Sequence, residues 1–349
     1  MKKVIITGVT GMDGSHMADY LMQKTDHTII AGIRRLSNDN HKNINHLKNN
    51  SRFKLIDLDI TDSTNIENTI REEKPDYFIN FAANSFVGNS WTMPINHMQT
   101  NCMAVLYQLE AIRKFAPNCR YYQSGSSEEF GDVITVPQNE SHPLRPRSPY
   151  GASKVSARML VKVYRESYGL YAIQGWLFNH EGVRRGVEFV TRKITHNVAR
   201  IKKAIQTGEN FEPVELGNLD ARRDWSDAED FVDGVWKMLN QNHPKEYVLS
   251  SNETHTVREF VEKTFLVAGI KGHWSYLNLD NTDKRPENEV FRKDTGEILV
   301  KINPKFYRPA EVDLLFGDSS LARKELDWQP KISFDQLVKK MVENDLCNV

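Results

Sequence analysis

The sequence predicts an α/β fold built on a doubly wound parallel sheet. Three observations carry that prediction. A short β-branched run, Lys3–Thr7, is followed at once by glycines at 8, 11 and 14 and then by helically spaced apolar residues. Further apolar runs at 27–33, 53–56 and 77–83 alternate with helical stretches, the pattern of parallel strands joined by crossover helices. The chain has 349 residues, too many for one simple core, so it forms one large domain or two intimately joined ones.

Lys3–Thr7 reads as a buried parallel strand. The turn after it carries Gly8, Thr10, Gly11, Met12, Asp13 and Gly14. Glycines also mark ordinary turns, but a glycine series between a strand and a helix lets a pyrophosphate approach the backbone and the free N–H groups of the helix start. This turn is therefore expected to bind a dinucleotide. The second strand, 27–33, ends in Arg34 and Arg35, where an NAD site usually has an acidic residue. Arginines there can pair with a 2′-phosphate, so NADP is expected rather than NAD. The alternative for the two arginines is a solvated basic turn. Asp59 and Ile60 follow the third strand, placed to meet an adenine. The fourth, 77–83, ends in small residues beside which a cofactor can lie. The stretch 103–112 reads as a buried helix.

The segment from Tyr121 to Gly131 reads as a strand whose end presents Ser126, Ser127, Glu128 and Glu129. In a strand, Glu129 points away from Glu128. Tyr150 and Lys154 are spaced i, i+4 on one helical face. An ammonium beside a phenol favours the phenolate, which could then serve as a general base. Both residues could equally sit on an ordinary surface helix. The carboxyl ends of parallel strands are where such a fold binds ligands, and both groups fall there.

After Leu177 basic clusters recur: Arg184 and Arg185, Thr191 to Lys193, Arg222 and Arg223, and Arg308. Each alone reads as a solvated loop; together they suit an anionic, planar ligand such as a nucleoside diphosphate. The stretch 229–239 is helical and expected to return to the sheet. Residues 272–297 are polar and read as a surface excursion, and an amphipathic helix begins at Phe334. No internal repeat or low-complexity tract is present.

Lys+Arg and Asp+Glu each number 46, giving zero formal charge, which speaks against charge-driven binding to nucleic acid or membranes. The three cysteines, Cys102, Cys119 and Cys347, have no metal-ligand spacing, so no metal is expected and a reducing compartment is. The N-terminal apolar run is too short for a signal-peptide core and no run is long enough to span a bilayer. The expected location is the cytoplasm.

The glycine series with Tyr150 and Lys154 resembles the extended short-chain dehydrogenase/reductases. Within them, the segments 5–14, 146–154, 164–172, 177–181, 184–186, 189–195, 223–225 and 307–312 resemble the GDP-mannose 4,6-dehydratase family. The resemblance runs over nearly the whole chain. It implies a Rossmann-type sheet with a smaller, interlocked C-terminal α/β lobe for the substrate. The implied division gives 1–178, with 217–245 and about 298–312, to NADP, and 179–216, 246–297 and 313–349 to the nucleotide sugar. It implies that the glycine loop, Arg34, Arg35, Asp59, Ile60, Phe81, Ala82, Ala83, Ser85, His180 and Arg185 hold NADP together with Tyr150 and Lys154. It places Asn84, Ser85, Ser126, Ser127, Asn179, Lys193, Arg223, Arg308 and Glu311 at the substrate.

The implied chemistry is a water elimination from a nucleotide sugar, GDP-mannose giving GDP-4-keto-6-deoxymannose. Tyr150 takes the 4-OH proton as C4 is oxidised, Lys154 holds the nicotinamide ribose, Ser126 steadies O4, and Glu128 removes the C5 proton and assists loss of the C6 hydroxyl. The family pattern also implies a homodimer or homotetramer. Several residues depart from that pattern. Ser126 stands for a threonine, Glu129 for an apolar residue and Phe130 for a tyrosine; Ala82 and Asn84 differ beside the sugar; and the loop after Arg35 is about one residue shorter. Other readings use the same oxidation at C4: a dehydratase of GDP-heptose, UDP-glucose or CDP-glucose, a 4-epimerase, a decarboxylase or a 4-reductase. An epimerase or reductase does not need Glu128. A decarboxylase could carry one, and would need an arginine such as Arg184 or Arg185 beside C6. A non-catalytic NADP-binding regulator is the reading outside enzymes.

Overall fold

A computed structural model describes residues 1–37, 40–278 and 283–349. Strands β1 (Lys3–Thr7), β2 (Thr28–Ile33), β3 (Phe53–Asp57), β4 (Tyr77–Asn80), β5 (Arg120–Ser124) and β6 (Ala172–Leu177) alternate with helices through the first half. The helices are α1 (Met12–Lys24), α2 (Ser63–Glu73), α3 (Pro94–Met98), α4 (Ala104–Phe115) and α5 (Pro149–Tyr168). The second half holds β7 (Asn179–Glu181), α6 (Val190–Thr207), β8 (Val214–Leu216), β9 (Arg222–Arg223), β10 (Trp225–Asp227) and α7 (Ala228–Leu239). These are followed by β11 (Val248–Leu249), β12 (His255–Thr256), α8 (Val257–Val267), β13 (His273–Tyr276), β14 (Glu289–Arg292), β15 (Ile298–Ile302), α9 (Ser320–Leu326) and α10 (Phe334–Asn348).

Seven parallel strands form the main sheet, in the order β11-β6-β5-β4-β1-β2-β3. Both faces are covered, which is why its strands read as near-continuous apolar runs. Alternation along β1 sends Val4 and Ile6 into one core with Met17, Leu21, Phe231 and Val235. Ile5 goes to the other, with Ile66, Ile70, Leu109, Ile112 and Val161. The strand order reverses between β1 and β4, so the ends of those strands open a crevice where a ligand can lie. A second sheet, β13-β14-β15-β8, carries α6, α8 and α10 over a separate core that includes Val198, Phe260, Leu299 and Met341.

Several local expectations change here. Residues 272–297 are not a bare excursion: β13 and β14 form an antiparallel pair with His273 opposite Arg292 and Tyr276 opposite Glu289. These four-residue strands bury little beyond Val290 and Phe291, too short an alternation to stand out in a polar stretch. Residues 279–282 of that stretch lie outside the described residues, as do Asn38 and Asp39 of the loop after Arg35. Val190 to Lys193 open α6 rather than forming a loop. Two stretches sit opposite to the division drawn above: Val248–Leu249 is the edge of the main sheet, and Ile298–Ile302 pairs with β8 in the smaller one. Strand partnership between segments this distant in sequence is decided by packing, which neither stretch encodes locally. Among the described residues no helix is long and apolar enough to cross a membrane.

Candidate active site

One cleft of about 1620 Å³ opens at the carboxyl ends of the main sheet. Every residue singled out above for cofactor, substrate or catalysis lines it. Gly8, Thr10, Gly11, Met12, Asp13 and Gly14 come from the turn after β1, Arg34 and Arg35 from the end of β2, and Asp59 and Ile60 from beyond β3. Phe81, Ala82, Ala83, Asn84 and Ser85 follow β4, and Ser126, Ser127 and Glu128 follow β5. Tyr150 and Lys154 face it from α5, Asn179 and His180 from β7, and Lys193 from α6. Arg185, Arg223, Arg308 and Glu311 complete the wall.

The glycine turn has the form a pyrophosphate requires. Gly8 has φ +69°, and a Cβ there would lie 2.6 Å from the Ala82 nitrogen. A Cβ at Gly14 would strike the Gly8 carbonyl. Gly11 caps α1 with no side-chain hydrogen bond, so the first N–H groups of the helix remain for an anion. Beside the turn, His180 Nε2 is 3.0 Å from Asp13 Oδ2, while Nδ1 meets the Phe178 carbonyl at 2.8 Å. Burial alone would raise the Asp13 carboxyl, but His180 and Arg185 outweigh it and hold it below the usual range. Burial likewise opposes the His180 imidazolium, yet Asp13 and the Phe178 carbonyl raise its pKa. Arg185 lies 3.5 Å over the Phe189 ring and 3.1 Å from Glu181. Arg34 and Arg35 are exposed and make no ion pair with the described residues.

The catalytic wall is built from two elements. Helix α5 starts at Ser148, whose side chain accepts the Gly151 N–H at 3.0 Å, with Pro149 in the first turn. It buries Tyr150 and Lys154 on one face. Beyond β5, Ser127–Glu129 form a single 3₁₀ turn rather than extended strand. The Ser126 hydroxyl accepts the Glu128 N–H at 3.2 Å and lies beside the Tyr150 phenol at the cleft wall. Glu128 faces the cleft, where Arg308 Nη1 stands 3.4 Å from Oε1. Glu129 does point away from Glu128, as expected, but the direction comes from the helical turn and not from strand alternation. Phe130 packs among Trp176, Phe178 and His142.

The electrostatics of Tyr150 differ from the sequence expectation. Burial pushes the phenol above its ordinary range, and the neighbouring Ser126 hydroxyl offsets part of that rise. Lys154 Nζ is 5.8 Å from the Tyr150 ring centre and donates to the Ser124 carbonyl at 2.8 Å and to Ser124 Oγ at 3.3 Å. Burial pushes Lys154 down to about 8, against Glu129 and Asp13. Spacing along a helix gives adjacency; it does not reveal that both groups are desolvated.

On the far side, Arg223 donates to Glu311 at 2.9 Å and to the Arg222 carbonyl at 2.9 Å. Lys193 lies 3.5 Å over Phe306, and burial lowers its pKa. Asn84 is anchored: its backbone N–H donates to Asn101 Oδ1 at 2.8 Å, its carbonyl accepts from Asn101 Nδ2 at 3.0 Å, and its side chain bonds Asn96. Arg184 turns to Asp19 at 2.7 Å. Sequence reasoning missed Ser124, Asn101 and Phe306. Only Phe306 had a visible signal, as an aromatic beside the basic stretch at Tyr307. Among the described residues no cluster could hold a metal.

A glycine cradle, a Tyr–Lys pair and a serine hydroxyl meeting at the switch point of a doubly wound sheet make up an extended short-chain dehydrogenase/reductase design. Solved structures share the fold. One is dTDP-glucose 4,6-dehydratase from Bacillus anthracis in complex with NAD (TM-score 0.78, 22% identity, 99% of this chain and 96% of that one). Another is RMD from Pseudomonas aeruginosa complexed with NADPH (TM-score 0.76, 19% identity, 100% of both chains). The family model described as GDP-mannose 4,6 dehydratase matches residues 5–341. The chain is 41% identical over 354 residues to the GDP-mannose 4,6 dehydratase of Cricetulus griseus, covering 99% of this chain and 91% of that protein. It is 38% identical over 357 residues to that of Yersinia enterocolitica, covering 99% and 94%. The chain belongs to the GDP-mannose 4,6-dehydratase family.

Proposed function

We propose that this chain is a nucleotide-sugar 4,6-dehydratase converting GDP-mannose to GDP-4-keto-6-deoxymannose and water with NADP as cofactor. The observation that carries this reading is the convergence of Ser126, Glu128, Tyr150 and Lys154 on one wall of a cleft that also holds the glycine cradle. The fit of a dinucleotide is supported by Gly8 and Gly14, where a Cβ would strike the backbone of Ala82 and of the turn itself, so that only glycine keeps the cradle's form. The glycine turn, Asp59, Ile60 and the 81–85 loop would hold it, and Arg34 and Arg35, which make no ion pair among the described residues, favour the 2′-phosphate of NADP. When bound, the nicotinamide stores the hydride removed at C4 until it is returned at C6. In its phenolate form, which the Ser126 hydroxyl favours against burial, Tyr150 takes the 4-OH proton. Ser126 then donates to O4 as it becomes a carbonyl, which acidifies the C5 proton. Glu128 removes that proton and gives it to the C6 hydroxyl, which leaves as water, and the proton taken from O4 is returned to C5 as the hydride reaches C6. Lys154 holds the ribose. Arg223, Arg308 and Lys193 are assigned to the nucleotide and its phosphates, with Asn179 and Glu311 beside them.

The cofactor is assigned to the body of the main sheet and the sugar nucleotide to the smaller one. A homodimer or homotetramer is favoured by Met159 and Val163, exposed apolar residues on α5. The proposed compartment is the cytoplasm, where free cysteines remain reduced. The test is a mass-spectrometric panel of GDP-mannose, GDP-heptose, UDP-glucose, CDP-glucose, dTDP-glucose and UDP-glucuronate with trace NADP⁺. Loss of one water from GDP-mannose without net NADPH is the expected result. Water lost only from another sugar replaces the substrate, and carbon dioxide lost from the glucuronate overturns the reaction.

A further inference from the structure

We propose that Glu129, acting with Arg158, is a positioning residue that sets the geometry of the catalytic turn; this rests on the roles given above to Ser126 and Glu128. Glu129 is wholly buried and does not line the cleft. Its Oε1 accepts the Ser126 backbone N–H at 2.8 Å and a Gln174 side-chain N–H at 3.0 Å. Its Oε2 meets Arg158 Nε at 2.5 Å. Arg158 lies on α5 one turn beyond Lys154, on the same face as Tyr150. Its guanidinium also donates to the Gln174 carbonyl at 2.9 Å and to Glu246 at 2.8 Å, and lies 3.5 Å over the Trp176 ring. Gln174 in turn donates to the Lys154 carbonyl at 3.2 Å.

One carboxylate therefore ties the turn bearing Ser126 and Glu128 to the helix bearing Tyr150 and Lys154. The backbone leaves room for it: a Cβ at Gly125 would stand 2.9 Å from Glu129 Oε1 and 3.0 Å from Arg158 Nη2. A buried ion pair gains little stability over an apolar pair of similar volume. Its consequence here is placement: Ser126 is held through its own N–H, and Glu128 two residues on moves with it. Displacement of a reacting group by a fraction of an ångström to one ångström is costly in rate and nearly neutral in ground-state binding.

The deciding variant is Glu129→Leu with Arg158→Leu, which removes both charges together and leaves Glu246 paired with Arg165 at 3.0 Å. Glu129→Leu alone leaves the buried guanidinium with Glu246 as its one remaining carboxylate partner among the described residues and is expected to lose much of its melting temperature. The double variant should recover most of that loss. Its kcat should nevertheless stay about 10- to 100-fold below the parent, with the KM for the nucleotide sugar within about threefold. Recovery of the parent kcat together with the melting temperature overturns the proposal, because a purely structural pair predicts that outcome. Amide hydrogen exchange of the parent gives a reading that needs neither a variant nor turnover. The Ser126 amide should be protected as strongly as the β5 amides; rapid exchange there overturns the proposal even if the double variant does not fold. A parent that dehydrates no nucleotide sugar defeats the assigned function, while the exchange result still decides whether Glu129 holds the turn.

Discussion

Arg308 and Glu128, 180 positions apart in sequence, face each other with 3.4 Å between Nη1 and Oε1. The same Nη1 is 3.6 Å from Glu311. The guanidinium assigned to the substrate's phosphates thus also touches the carboxylate assigned to the C5 proton. Arg308→Ala should raise the KM for the nucleotide sugar about 10- to 100-fold, the range for a lost charge-assisted contact. A steady-state titration checks this, and an unchanged KM would remove Arg308 from the substrate site.

Glu128→Gln separates the two halves of the reaction. Oxidation at C4 uses Tyr150, so the variant should still reduce its cofactor in a single turnover. Elimination should fall by about 10²- to 10⁴-fold, the usual share of a general acid–base group. Cofactor absorbance and product mass, followed together, report both steps. Release of dehydrated sugar at the parent rate would show that another group is the base.

Tyr150→Phe should abolish the first half instead. The phenol lines the cleft beside Ser126, and phenylalanine keeps the ring while removing the proton acceptor. No reduced cofactor is expected on mixing with sugar, while cofactor binding stays close to that of the parent. Normal reduction in this variant would sink the role given to Tyr150.

The cradle admits no side chain. Gly8→Ala would set a Cβ 2.6 Å from the Ala82 nitrogen in a residue at φ +69°. The variant should bind neither NADP⁺ nor NAD⁺ measurably in a calorimeter. Arg34→Ala with Arg35→Ala should instead leave NAD⁺ binding alone and weaken NADP⁺ about 10- to 100-fold. Equal affinity for NADP⁺ before and after would mean that the arginines form only a solvated turn.

A stability prediction comes from Asp224, buried behind Arg223 and Trp225. It accepts the Ser251 N–H at 2.8 Å, the Ser251 hydroxyl at 2.7 Å and the Asn252 N–H at 3.1 Å. Burial nevertheless pushes its carboxyl up to about 7 from 3.8. Between those two values the folded chain keeps a proton that the unfolded chain has lost, so this group makes stability fall as pH rises across that window. Asp224→Asn cannot titrate. The parent's melting temperature should therefore fall relative to the variant's from about pH 4 to about pH 7. Parallel curves would show that Asp224 does not titrate there.

The parts of the site visible in the sequence are those set by local spacing. Gly8, Gly11 and Gly14 follow a strand directly, and Tyr150 and Lys154 are one helical turn apart; neither inference needs a distant contact. The direction of Glu129 came out right for the wrong reason, because only Arg158 and Gln174 show which way a charged side chain at that turn is drawn. The phenol of Tyr150 was expected to be lowered by Lys154. Burial, a property of the assembled core, decides otherwise. The strands β13 and β14 were missed because four residues with one wet face carry almost no periodic signal, and the Arg308–Glu128 contact lies beyond any local pattern.

The order of strands in the main sheet has a consequence for synthesis. Its edge, Val248–Leu249, and the residues Ala322, Leu326 and Trp328 that close the core around α1 and α7 are all made late. A nascent chain stopped after β6 holds the glycine cradle, Tyr150 and Lys154, but leaves β6 unpaired on one side and that core uncapped. The chain must be made as far as Trp328 before the first-made half can close. Chains interrupted between β6 and Trp328 should therefore emerge as substrates for proteases rather than as partial, cofactor-loaded enzymes.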